Sequence, residues 1–80
     1  MMSNEKLHNN QIGLRIRTAR KEKGINQTEL ANLLGKSLRT IQKYESGEIE
    51  VSIAMLNEIA NVLSYESTYL IGYDAERKPF

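Results

Sequence analysis

The chain has 80 residues, a net charge of +1, one histidine and no cysteine. That length makes one small domain, one that buries only about 60% of the surface of its unfolded chain. Disulfides, thiolate metal sites and cysteine nucleophiles are excluded, and no apolar run approaches the roughly 18 residues of a membrane span. The lack of cysteine fits a cytoplasmic protein. Charge is unevenly divided along the chain. Residues 1–47 carry nine Lys/Arg against four Glu, and residues 48–80 carry two against six acids. Such asymmetry suggests one side meant for a polyanion, although a solvated basic face has the same composition.

Residues 1–10 are polar, lack the apolar core of a signal peptide and are expected to form a flexible arm. The first helix is predicted over Gln11–Lys23, where Ile12, Ile16, Ala19 and Lys23 recur at one-faced helical spacing. Gly13 interrupts that pattern at a cost of about 1 kcal/mol relative to alanine, so a loose first turn is expected there. Gly24 ends the helix as a left-handed cap. A second helix, Gln27–Leu34, has Leu30, Ala31, Leu33 and Leu34 as its expected buried side, and Gly35 opens a tight turn. Ser37 is placed to cap a third helix ending at Ser46, which Gly47 stops. Ser52 caps a fourth helix reaching Leu63, with Leu56, Ile59, Ala60 and Leu63 as its inner stripe. A fifth, short helix is predicted over Ser67–Ile71 before Gly72, and residues 74–80 read as a tail after a domain spanning 11–73. No stretch alternates with period two for long enough to make a strand. The class is all-α, with a helix-turn-helix at the second and third helices.

The third helix carries the chemistry. Steps of 100° put Ile41, Tyr44 and Glu45 on one side and Arg39, Gln42, Lys43 and Ser46 on the other, with Leu38 at the flank of the first turn. Arginine donates in parallel to guanine O6 and N7, glutamine pairs with adenine N6 and N7, lysine reaches guanine or phosphate, and Leu38 fits a thymine methyl. Arg, Gln and Lys are also common on solvated helix faces, and the face alone favours that plainer reading. Glu45 lies on the buried side and needs a partner, because a lone carboxylate is costly there. Arg20, beside the apolar stripe of the first helix, is the expected one. The start of the second helix, at Asn26 and Gln27, presents the free N–H groups that bind phosphate.

An enzyme finds no inventory here. The one histidine, His8, lies in the polar arm, and there is no phosphate-binding glycine loop and no clustered set of metal ligands. No cofactor is expected. At the other end Tyr65, Tyr69, Leu70, Ile71, Tyr73 and Phe80 crowd together, including four of the five aromatic residues. Tyr65 and Leu70 are expected to close the core. The remainder, Tyr69, Ile71, Tyr73 and Phe80, exceed what a chain this small needs to bury and are expected at a homodimer interface.

In register, these pieces resemble the Xre family, the lambda-repressor-like helix-turn-helix proteins of bacteria and phages. The resemblance runs from about Ile12 to Gly72. It rests on Ile12-Gly13-Leu14-Arg15-Ile16-Arg17, Arg20, Gly24-Ile25-Asn26-Gln27-Thr28-Glu29-Leu30-Ala31, Leu34-Gly35, Ile41, Tyr44-Glu45-Ser46-Gly47 and Leu56-Asn57-Glu58-Ile59-Ala60. It implies a five-helix domain that binds operator DNA as a dimer and regulates transcription, as a repressor. By likeness Leu38, Arg39, Gln42 and Lys43 fall where the family reads bases, and Gln27 falls where it touches phosphate. Asn26 and Ser46 fall at backbone contacts, and Ser37, Arg17 and Lys21 are counted with this phosphate-binding set. The Arg20–Glu45 pair also looks like a family feature. An antitoxin-like module that holds a protein partner on the same fold is the alternative. Some positions depart from the pattern. Val51 stands where many members have proline, Lys36 where the turn is often apolar, and Ser64 where glycine is common. Glu48 and Glu50 place negative charge in a loop that often nears the DNA backbone, where both would weaken phosphate attraction.

Overall fold

Polar caps set the helix boundaries. In the computed structural model, which describes residues 4–65 and Leu70, four helices are formed: α1 (Asn4–Glu22), α2 (Gln27–Leu34), α3 (Leu38–Ser46) and α4 (Ile53–Leu63). Asn26 caps α2 by accepting from the Glu29 N–H at 2.8 Å, while the Glu29 carboxylate accepts from the Asn26 N–H at 2.8 Å. This reciprocal box satisfies two of the N–H groups that a helix start leaves unpaired. Ser37 and Ser52 cap α3 and α4, each accepting from the third residue on at 3.1 Å. Gly35 and Gly47 close α2 and α3 in the left-handed conformation that glycine adopts without a Cβ penalty. Ser64 closes α4 in the same conformation, at φ 60°, with a side chain that disfavours it.

The core is one cluster drawn from every helix. Ile12, Ile16 and Ala19 of α1 meet Leu30, Ala31 and Leu34 of α2, Ile41 and Tyr44 of α3, and Met55, Leu56, Ile59, Ala60 and Leu63 of α4. Val51, placed in a loop by the sequence, is buried in this cluster. Leu70 is fully buried and helical, and Tyr65 packs on the edge, so both close the core as expected. Apart from Leu70, the fifth helix expected over Ser67–Ile71 lies outside the described residues, as do Tyr69, Ile71, Tyr73 and Phe80. Among the described residues all regular structure is helical, and no helix is long and apolar enough to cross a membrane.

Four expectations need correction. First, α1 begins at Asn4 rather than Gln11, so much of the expected flexible arm is helix. Tertiary contact supports it: a Cβ on Gly47 would lie 2.8 Å from Cα of Asn10, so the start of α1 is pressed against the end of α3. Second, Gly13 is not in a loose turn. It is buried inside α1, and a Cβ there would run into the carbonyl oxygens of Tyr44 and Glu45 and lie 2.8 Å from the Glu45 carbonyl carbon. Third, Leu33 is 59% exposed, because α2 buries a narrow stripe through Leu30, Ala31 and Leu34, and Leu33 falls outside it. Fourth, Lys23 follows the end of α1 and is exposed, with its ammonium 5.8 Å from the centre of the Tyr65 ring. That is within cation–π range. Glu22 next to it accepts from the Tyr65 hydroxyl, so the end of α1 is tied to the segment after α4.

Candidate nucleic-acid interface

The inner side of α3 is anchored by the charged pair expected from helical phase. Arg20 Nε donates to Glu45 Oε2 at 2.7 Å, and Nη2 donates to Oε1 at 3.1 Å. The two side chains are only 8% and 4% exposed. Charges so buried are tolerated only when their hydrogen-bonding capacity is used. The third arm of the guanidinium does this, with Nη1 donating to the Ile25 carbonyl at 2.9 Å. On the other side, Gln27 Nε2 donates to Glu45 Oε1 at 3.0 Å. The Arg20–Glu45 pair therefore ties α3 to α1, to the α1–α2 turn and to the first residue of α2. Helical phase gives no reason to expect the Gln27 link, since an uncharged amide, unlike the Arg20 guanidinium, is not obliged by burial to find the carboxylate. Its amide keeps a second N–H and a carbonyl for an outside ligand.

The outer side of α3 follows from the inner one. With Ile41, Tyr44 and Glu45 buried, the 100° step leaves Arg39, Gln42 and Lys43 facing outward. Together with Ser46 and Glu48 they line one shallow depression in the surface. Leu38 is exposed at the first turn, outside that depression. Among the residues expected to read bases, the structure thus gathers three in one place and leaves Leu38 outside it.

The residues expected at phosphates are more scattered. Asn26 spends its carbonyl oxygen on the cap, which leaves its amide donors for other use. Around it, the first two N–H groups of α2, at Gln27 and Thr28, have no helical acceptor, as at any helix start. The Ser37 hydroxyl accepts from the Thr40 N–H and shares a 2.9 Å hydrogen bond with the Thr40 hydroxyl. Ser46 donates its hydroxyl to the Lys43 carbonyl at 3.2 Å and accepts from the Glu48 N–H at 3.3 Å. Both serines are thereby engaged in ending or starting α3, and Ser46 has already committed its one proton. Arg17 and Lys21 are exposed on α1 and do not line the depression of α3. The two loop glutamates separate. Glu48 lies in the depression of α3, whereas Glu50 lines a different one with His8, Val51 and Ile53.

Comparison with known proteins gives this geometry a family. A helix-turn-helix family model matches residues 16–70. A protein of Sinorhizobium fredii named as the uncharacterized HTH-type transcriptional regulator y4wC is 34% identical over 58 residues, covering 72% of this chain and 41% of that protein. An uncharacterized transcriptional regulator in the ATPase CF(0) region of Rhodospirillum rubrum is 36% identical over 66 residues, covering 82% of this chain and 60% of that one. The SPbeta prophage-derived uncharacterized HTH-type transcriptional regulator YonR of Bacillus subtilis is 30% identical over 60 residues, covering 75% of this chain and 56% of that one. This chain therefore spans about half the length of these relatives. Among solved structures, the restriction-modification controller protein C.AhdI from Aeromonas hydrophila superposes with a TM-score of 0.78 at 28% identity, over 85% of this chain and 99% of that one. The clp gene regulator ClgR from C. glutamicum also gives 0.78, at 22% identity over 99% of both chains, a likeness of fold. With its model matched across most of the chain and the α2–turn–α3 unit in place, the chain belongs to the Xre, lambda-repressor-like family of helix-turn-helix proteins.

Proposed function

We propose that the chain is a sequence-specific DNA-binding transcriptional regulator, a repressor that occupies a pseudo-palindromic operator as a homodimer. The observation that carries this reading is the outward set Arg39, Gln42 and Lys43 on an α3 whose inner side is held by the Arg20–Glu45 pair. A helix so anchored presents its polar face without needing to reorganise, which is what a rigid reader of a major groove requires. In this reading Arg39, Gln42 and Lys43 contact base edges and Leu38 packs on a thymine methyl. Gln27, Asn26 and the open N–H groups of α2 hold one phosphate, and Arg17, Lys21, Ser37 and Ser46 add backbone contacts. Ser46 would have to give up its bond to the Lys43 carbonyl to donate.

A fifth helix through Leu70 completes the domain, and Tyr69, Ile71, Tyr73 and Phe80 form the dimer surface. Two copies would then place α3 in successive major grooves about 34 Å apart. The chain works without a cofactor and is not an enzyme. Selection of duplexes from a random library by the pure protein tests the whole reading at once. Recovery of a palindrome, lost when Arg39 and Lys43 are both changed to alanine, is the expected result. Failure to enrich any sequence, with stoichiometric capture of a neighbouring gene product, would favour the protein-partner alternative instead.

A further inference from the structure

The two glutamates after α3 are close in sequence and alike in chemistry, but they face different surroundings. Glu48 shares its depression with Arg39, Gln42, Lys43 and Ser46. Glu50 lies in a separate one with His8, Val51 and Ile53. The Glu48 main chain is fixed by two bonds from its N–H, to the Lys43 carbonyl at 3.0 Å and to the Ser46 hydroxyl at 3.3 Å. Gly47, at φ 80° and packed on Asn10, fixes the direction in which the chain leaves α3. Among the described residues the Glu48 carboxylate has no hydrogen-bond or ion-pair partner. It is therefore a negative charge on a main chain held at a set place beside a basic face, with no ion-pair partner among the described residues.

We propose that Glu48, and not Glu50, is a built-in brake on DNA affinity, a carboxylate positioned to oppose the phosphates that the α3 face approaches. This inference rests on the DNA-binding reading above. Bases are met by the N-terminal part of a recognition helix. Glu48 follows the C-terminal end of α3, where the nearest nucleic-acid groups are backbone phosphates. Like charges there repel, and the same carboxylate lowers the pull of Lys43 and Arg39 on the polyanion as a whole. Glu48 so sets the level of binding to every duplex and leaves the choice of sequence to Arg39, Gln42 and Lys43.

The test measures wild type, Glu48→Gln, Glu50→Gln and the Arg39→Ala/Lys43→Ala double variant on a selected operator and on an unrelated duplex, across a salt series. Both glutamates are exposed, and glutamine keeps the backbone bonds of position 48. At about 50 mM salt Glu48→Gln should bind both duplexes tighter by roughly two- to tenfold, and the gain should shrink toward about 200 mM. Glu50→Gln should match wild type on both. Glu48→Gln equal to wild type, an equal gain from Glu50→Gln, or a changed preference at one base pair would each overturn the proposal; the last would make Glu48 a reader of a cytosine amino group. If wild type binds no duplex, the DNA reading fails independently, and a Glu48→Gln protein that also binds none removes the brake with it.

Discussion

The two faces of α3 are built under opposite rules. The inner face is crowded and exact in its demands. Glu45 must match Arg20 and Gln27, and the backbone carbonyls of Tyr44 and Glu45 lie so near α1 that only glycine fits at position 13. The outer face is open. Arg39 and Gln42 are exposed, and neither has a hydrogen-bond partner among the described residues. The difference teaches that stability and recognition in one nine-residue helix draw on separate side chains. Substitution on the outer face should then leave stability nearly untouched, whereas the inner face also holds Gln27 and the pose of α3.

The strongest way to break that separation is Glu45→Ala. It leaves the Arg20 guanidinium buried without its carboxylate and removes the acceptor of Gln27. A loss of about 3–5 kcal/mol is expected in urea denaturation, a large share of what so small a domain has. Gly13→Ala comes next. Helix propensity alone favours alanine by about 1 kcal/mol, yet the added Cβ has no room, and overpacking against backbone should reverse the sign to a loss of about 1–3 kcal/mol. A stabilised Gly13→Ala protein would show that the α1–α3 crossing can relax.

On the outer face, Arg39→Ala should move the denaturation midpoint hardly at all, within about 0.5 kcal/mol. It should cost about 1–3 kcal/mol in operator affinity, with discrimination relaxed at one base pair. An equal loss on every sequence would make Arg39 a phosphate contact. The smallest effect belongs to a site on neither face. Ser64→Gly relieves a left-handed serine at the end of α4 and should add about 0.5–1 kcal/mol of stability without changing DNA binding.

Much of this molecule is legible in its sequence, because local rules act over a few residues. Cap chemistry and the 3.6-residue period suffice for α2, α3 and α4, whose ends agree with Gln27, Leu34, Ser46 and Leu63. The same phase divides α3 into inner and outer sides and makes Arg20 the partner of Glu45. What lay beyond reach concerns distances between helices. Gly13 looks like a defect in a helix until the backbone of α3 is seen beside it. The early turns of α1 look like a loose arm until Gly47 is packed on Asn10. Leu33 has the hydrophobicity of a core residue but the wrong angle for one. Glu48 and Glu50 look equivalent until the chain turns between them and sends them to different depressions. Sequence by itself determines periodicity, caps and charge, since each depends on neighbours along the chain. The close α1–α3 crossing, the Gln27 link to Glu45 and the fate of each loop carboxylate were decided only by tertiary structure, since each depends on how near two distant segments come.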